Sequence, residues 1–96
     1  MGRIKIELNG LKLSELSEAE FLTLILAQYQ ANHLNEDARQ AFALMLHCSD
    51  KHIGHALAGQ THLGDEAWAI IAAKCGSNVD KLRTEWLREI KLKFIE

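Results

Sequence analysis

The chain has 96 residues, 48% of them apolar and 25% charged. That length and mixture describe one small globular domain and exclude a disordered or fibrous chain. The formal net charge of −2 is unevenly spread. Residues 35 to 66 set Arg39 and Lys51 against Glu36, Asp37, Asp50, Asp65 and Glu66, whereas six basic side chains outweigh four acidic ones over residues 67 to 96. An acidic middle repels phosphates and attracts basic proteins.

The opening "RIKIELNGLKL" alternates Ile4, Ile6 and Leu8 with Lys5 and Glu7, reaches Asn9-Gly10, and resumes with Leu11 and Leu13. Asn-Gly between alternating apolar runs predicts a β-hairpin, and a single extended arm against a helical body is the alternative reading. A free edge over residues 3 to 13 could add a strand from a second copy, so a homodimer through this segment is one expectation.

Helical patterns follow. Ser17 and Glu20 predict a capping box, with Leu16 and Phe21 as its hydrophobic staple. The apolar residues Phe21, Leu22, Leu24, Ile25, Leu26 and Tyr29 cover more than one face, which places this helix near the centre of the core. Asn35, followed by Glu36 and Asp37, predicts a second cap. Behind it Ala38, Ala41, Phe42, Met45 and Leu46 make a buried stripe, and Glu36, Asp37, Arg39 and Gln40 face water. Ser49 caps a short helix through Leu57, with Ile53, Ala56 and Leu57 inward and Gly59 as a left-handed stop. Thr61, Gly64 or Asp65 opens "DEAWAIIAAKC", which Gly76 ends, with Trp68, Ile71 and Ala72 on its inner side. Ser77 and Asp80 suggest another capping box, after which Val79, Leu82, Trp86, Ile90 and Phe94 recur at helical intervals. The expected fold is a single all-α domain over residues 1 to 96, a bundle of five helices with a short N-terminal ribbon or arm.

No run approaches the roughly 18 apolar residues of a membrane span, and the first twenty residues lack a signal-peptide core, so the chain is expected in the cytoplasm. In that compartment Cys48 and Cys75 are expected as thiols rather than a disulfide.

The stretch "HCSDKHIGHALAGQTH", residues 47 to 62, holds four of the five histidines and one of the two cysteines. Imidazole and thiolate are zinc ligands, but the stretch has neither Cys-x-x-Cys nor His-Glu-x-x-His spacing, and no metal or other cofactor is expected. Ser49, Asp50 and His52 follow one another around a helix start and point in different directions, so no enzymatic activity is expected.

The longer stretch "SDKHIGHALAGQTHLGDEAWAII" has the rhythm of helix, glycine-containing turn and helix, and a helix-turn-helix DNA-binding regulator is the alternative functional reading. In that register the second helix opens with Thr61, His62, Leu63, Gly64, Asp65 and Glu66, which brings two carboxylates and no Arg or Lys to the groove. The last helix carries Lys81, Arg83, Arg88, Lys91 and Lys93, interleaved with Glu85 and Glu89. On this count nucleic acid is not the expected partner.

The first reading is a non-catalytic module that binds a protein. "LSELSEAEFLTLI", followed some two dozen residues later by "HCS", resembles the DNase-type colicin and pyocin immunity proteins. The N-terminal ribbon and the extra helix near Trp68 depart from that four-helix pattern, and the contact-dependent-inhibition immunity proteins, a class with many unrelated small folds, would accommodate them. The resemblance implies a stoichiometric inhibitor of a nuclease toxin, with Glu36, Asp37, His47, Ser49 and Asp50 at the matched positions. With Gln40, His52 and His55, these residues form the expected polar surface for a cationic protein partner.

Overall fold

The structure, a computed structural model, describes Gly10 and residues 12 to 95, without the side chains of residues 14, 77 and 91 to 95. After a single 3₁₀ turn at Leu13–Glu15 come five helices: α1 Glu18–Asn32, α2 Ala38–Met45, α3 Asp50–Leu57, α4 Asp65–Cys75 and α5 Ser77–Ile95. The expected hairpin or arm, and the dimer edge it would offer, lie for the most part outside the described residues. None of the described helices is long and apolar enough to cross a membrane.

α1 starts where its sequence says it should. Ser17 Oγ accepts from Glu20 N at 3.1 Å, and Glu20 Oε1 accepts from Ser17 N at 2.9 Å, so two otherwise unpaired N–H groups are satisfied reciprocally. Phe21, Leu22, Ile25 and Tyr29 are buried, and Leu24 and Leu26 are half-buried against the same core. The helix is thus covered on more than one side by α2 and α3.

The aromatic centre explains how the first helix and the last two are held together. Phe21 stacks on Trp86 at 5.1 Å and leans on Trp68 at 5.3 Å, joining α1 to α5 and α4. Such pairs contribute about 0.5–1.5 kcal/mol each beyond the apolar area they bury. The Trp86 indole donates to the Leu16 carbonyl at 2.9 Å, so its buried N–H is satisfied while α5 is anchored to the chain just before α1.

The cap of α2 differs from the expected Asn35. Asp37 is the capping residue, its Oδ1 accepting from Arg39 N at 3.0 Å and Gln40 N at 3.3 Å. The cause lies in α1, where the Gln30 amide donates to the Glu36 carbonyl at 2.6 Å and accepts from Ala38 N at 3.0 Å. That clamp holds residues 33 to 36 in a turn and delays the helix by two positions.

Ser49 caps α3 as expected, accepting from His52 N at 3.0 Å. Gly59, with φ of 81°, follows its end. α4 starts after Gly64, which has no side chain to cap with. Gly76, at φ of 116° and ψ of 160°, is the sole residue between α4 and α5, a conformation that favours glycine. α5 therefore begins at Ser77 itself, one position sooner than a Ser77 cap allows. Val79 and Trp86 are buried among its described side chains, with Leu82, Leu87 and Ile90 packed alongside.

Candidate functional site

The histidine-rich stretch opens on the junction of α2 and α3, and the backbone there is specific. Cys48 N donates to the Ala43 carbonyl at 2.9 Å and His47 N to the Leu44 carbonyl at 3.3 Å. This pair of bonds is the Schellman closure of a helix C-terminus, whose left-handed position is ordinarily glycine. Here His47 occupies it, at φ of 55°, the one non-glycine residue with positive φ among those described. The chain then turns into Ser49 and α3. The result is two eight-residue helices joined by the four residues 46 to 49.

Phe42 and Ala43 of α2 and Ile53 and Ala56 of α3 are buried, so both helices turn one face into the core. The rest of α3's circumference presents Asp50, Lys51, His52 and His55, all exposed. Arg39 crosses from α2 to this face, with its Nη2 3.0 Å from Asp50 Oδ2 and 3.2 Å from the Asp50 carbonyl. It passes directly over Gly54, where a Cβ atom would stand 2.7 Å from the guanidinium nitrogen.

Of the residues expected to form a partner surface, Glu36, Asp37, Gln40, His47, Ser49, Asp50, His52 and His55 are all exposed. Several also serve the fold. Glu36 accepts from the Tyr29 hydroxyl at 3.1 Å, Asp37 and Ser49 are caps, and Asp50 is paired with Arg39. Burial, with Glu36 adding to it, raises the Tyr29 phenol above its usual range. Among the described residues no group of three or more His, Cys, Asp and Glu side chains is placed to hold a metal ion. Both cysteines are free thiols.

His62 leaves the cluster and turns to the first turn of α1. Its Nδ1 lies 2.7 Å from Glu18 Oε1, and the second carboxylate oxygen of Glu18 accepts from the Trp68 indole at 3.3 Å. Beside this group a cleft of about 630 Å³ runs between the start of α1 and α5, floored by Leu16, Trp86, Leu87 and Ile90 and edged by Glu15, Glu18 and Glu20. Arg83 also lines it, with its Nη2 2.9 Å from Asp65 and its guanidinium 5.4 Å above the Trp68 ring. Sequence reasoning missed this cleft. Glu18 and His62 stand 44 positions apart, and no local spacing announces their meeting.

Comparison with protein-family models, with curated proteins and with solved structures gave no match.

Proposed function

We propose that this protein is a helix-turn-helix DNA-binding module, with α2 as the supporting helix and α3 as the reading helix. One observation carries this reading: two eight-residue helices are joined by a four-residue left-handed turn, with the outer face of the second exposed from its capped N-terminus onward. A helix-turn-helix needs a connection of three to four residues to set its second helix across the first and into the major groove.

The sequence weighs against nucleic acid through its acidic segment 35 to 66, through the carboxylates interleaved in its last helix, and through a register that seats the turn at Gly59 and makes α4 the reader. Seven residues, 58 to 64, separate α3 from α4, too many for that turn. With the turn at residues 46 to 49, Asp65 and Glu66 are no longer the reading residues. The candidates become Lys51, His52 and His55, with Ser49 and the first N–H groups of α3 directed at a phosphate. Asp50 would oppose phosphates, but Arg39 neutralises it at 3.0 Å.

The same exposed residues support the second reading, an immunity-type inhibitor docking a cationic protein. It accounts for the acidic Glu36 and Asp37, but it gives no role to the His47 turn.

The discriminating experiment is selection from a randomised duplex pool in about 50 mM salt, followed by retardation assays at rising salt. A recovered motif is expected, with affinity that falls steeply with salt. Lys51→Ala is expected to flatten the log–log salt slope by about one unit if it meets a phosphate, or to relax one base position if it reads an edge. Absence of any enriched motif together with absence of salt-dependent retardation refutes the reading.

A further inference from the structure

The cleft beside Glu18 is a feature that the helix-turn-helix reading leaves without a role. We propose that it is a binding site for a hydrophobic organic cation of small-molecule size, an aryl or alkyl amine or an onium ion, with Glu18 as its counter-ion. The inference is independent of the DNA reading, and either can fail alone.

A volume of about 630 Å³ falls within the range of small-molecule sites, roughly 300–1,000 Å³. Leu16, Trp86, Leu87 and Ile90 supply an apolar floor, which selects for a hydrophobic body. Charge selects the sign. Glu15, Glu18 and Glu20 all border the space, and of the basic groups among the described lining residues Arg83 is already paired with Asp65 at 2.9 Å and His62 is turned onto one oxygen of Glu18 at 2.7 Å. The Arg83 Nε is sealed from solvent, so it offers nothing to an occupant.

Glu18 is the natural counter-ion because it is held. Its side chain is 20% exposed, and its two oxygens are fixed by the His62 ring and the Trp68 indole. A carboxylate that is partly desolvated and already oriented attracts a cation more strongly than a freely rotating surface one. Glu20 is held as well, by the capping box.

The test uses two probes of the same shape and opposite sign, tetraphenylphosphonium and tetraphenylborate, titrated against the full chain. The only two tryptophans, Trp68 and Trp86, adjoin the cleft, so intrinsic fluorescence reports it directly. Saturable quenching by the phosphonium is expected, with an affinity at least about tenfold above that of the borate, equivalent to roughly 1.4 kcal/mol. Glu18→Gln should weaken the phosphonium about tenfold, because the amide oxygen can still accept from Trp68 while the charge is gone. The rim double variant Glu15→Gln with Glu20→Gln retains a capping box and should weaken it by about threefold. Equal binding of the two ions, absence of saturable binding by the phosphonium, or a folded Glu18→Gln protein with unchanged affinity each overturns the proposal.

Discussion

Replacing His47 by glycine is expected to stabilise this protein, although the substitution removes a side chain and adds no contact. At φ of 55° the Cβ of His47 crowds the backbone, and for an L-residue the left-handed region costs roughly 1–2 kcal/mol. Glycine escapes that cost but gives back about 0.5–1 kcal/mol through its freer unfolded chain. The expected net gain is therefore about 0–1.5 kcal/mol, with a midpoint of about 0.75 kcal/mol. For a domain of this size that midpoint raises Tm by roughly 3–6 °C, at about 4–8 °C per kcal/mol.

The structure supplies its own control. α3 ends in the same way, with Gln60 N donating to the His55 carbonyl at 2.9 Å and Gly59 N to the Ala56 carbonyl at 3.2 Å. There the left-handed position is already glycine, at φ of 81°. A Cβ at Gly59 would lie 3.7 Å from the Ala19 methyl, an ordinary contact, so Gly59→Ala tests the backbone alone. It should lower stability by about 1 kcal/mol. Thermal and urea unfolding of the two variants measure both signs. A His47→Gly protein that melts below the parent, or a Gly59→Ala protein that melts with it, refutes the argument from backbone strain.

Phe21→Ala empties the space between the two indoles and is expected to cost about 3–5 kcal/mol, read as a lower urea midpoint, and a cost under 1.5 kcal/mol contradicts the packing described. Burial pushes the Cys75 thiol up to about 11, above its unfolded value near 9. Its contribution is therefore complete below pH 9 and is lost as pH rises through 11, so Cys75→Ala should flatten the fall in stability over that window, measured by urea unfolding. At pH 8 a thiol reagent should label half-buried Cys48 well before Cys75, and equal rates would contradict the burial of Cys75. Gly54→Ala displaces the Arg39 guanidinium but gains up to about 1 kcal/mol of helix propensity, against an exposed ion pair worth about 0–1 kcal/mol. Its Tm should equal or exceed the parent's, and a clear drop would mean that Arg39 cannot move aside.

Much of the fold is legible along the chain because its determinants are local. The box at Ser17 and Glu20, the Ser49 cap and the Gly59 and Gly76 stops act within a few residues of where they stand. The α2 start is misread because Gln30, from the preceding helix, decides it through two bonds to the turn. The α2–α3 turn is harder still to recognise. Glycine normally announces a left-handed helix end, and His47 fills that role without the signal, so attention passes to Gly59 and the tight α2–α3 junction goes unread. The Glu18 cleft has no sequence signature, since α1, the loop before α4, and α5 each contribute residues that are unremarkable alone.

The passage of Arg39 over Gly54 ties the first turn of α3 to a residue eleven positions earlier. The outer face of that helix is consequently not a modular cassette. Grafting residues 50 to 55 onto another scaffold would leave Asp50 as a bare anion unless the arginine and the missing methyl travelled with it. Any lineage that altered position 54 would change the charge displayed by its neighbour without touching it.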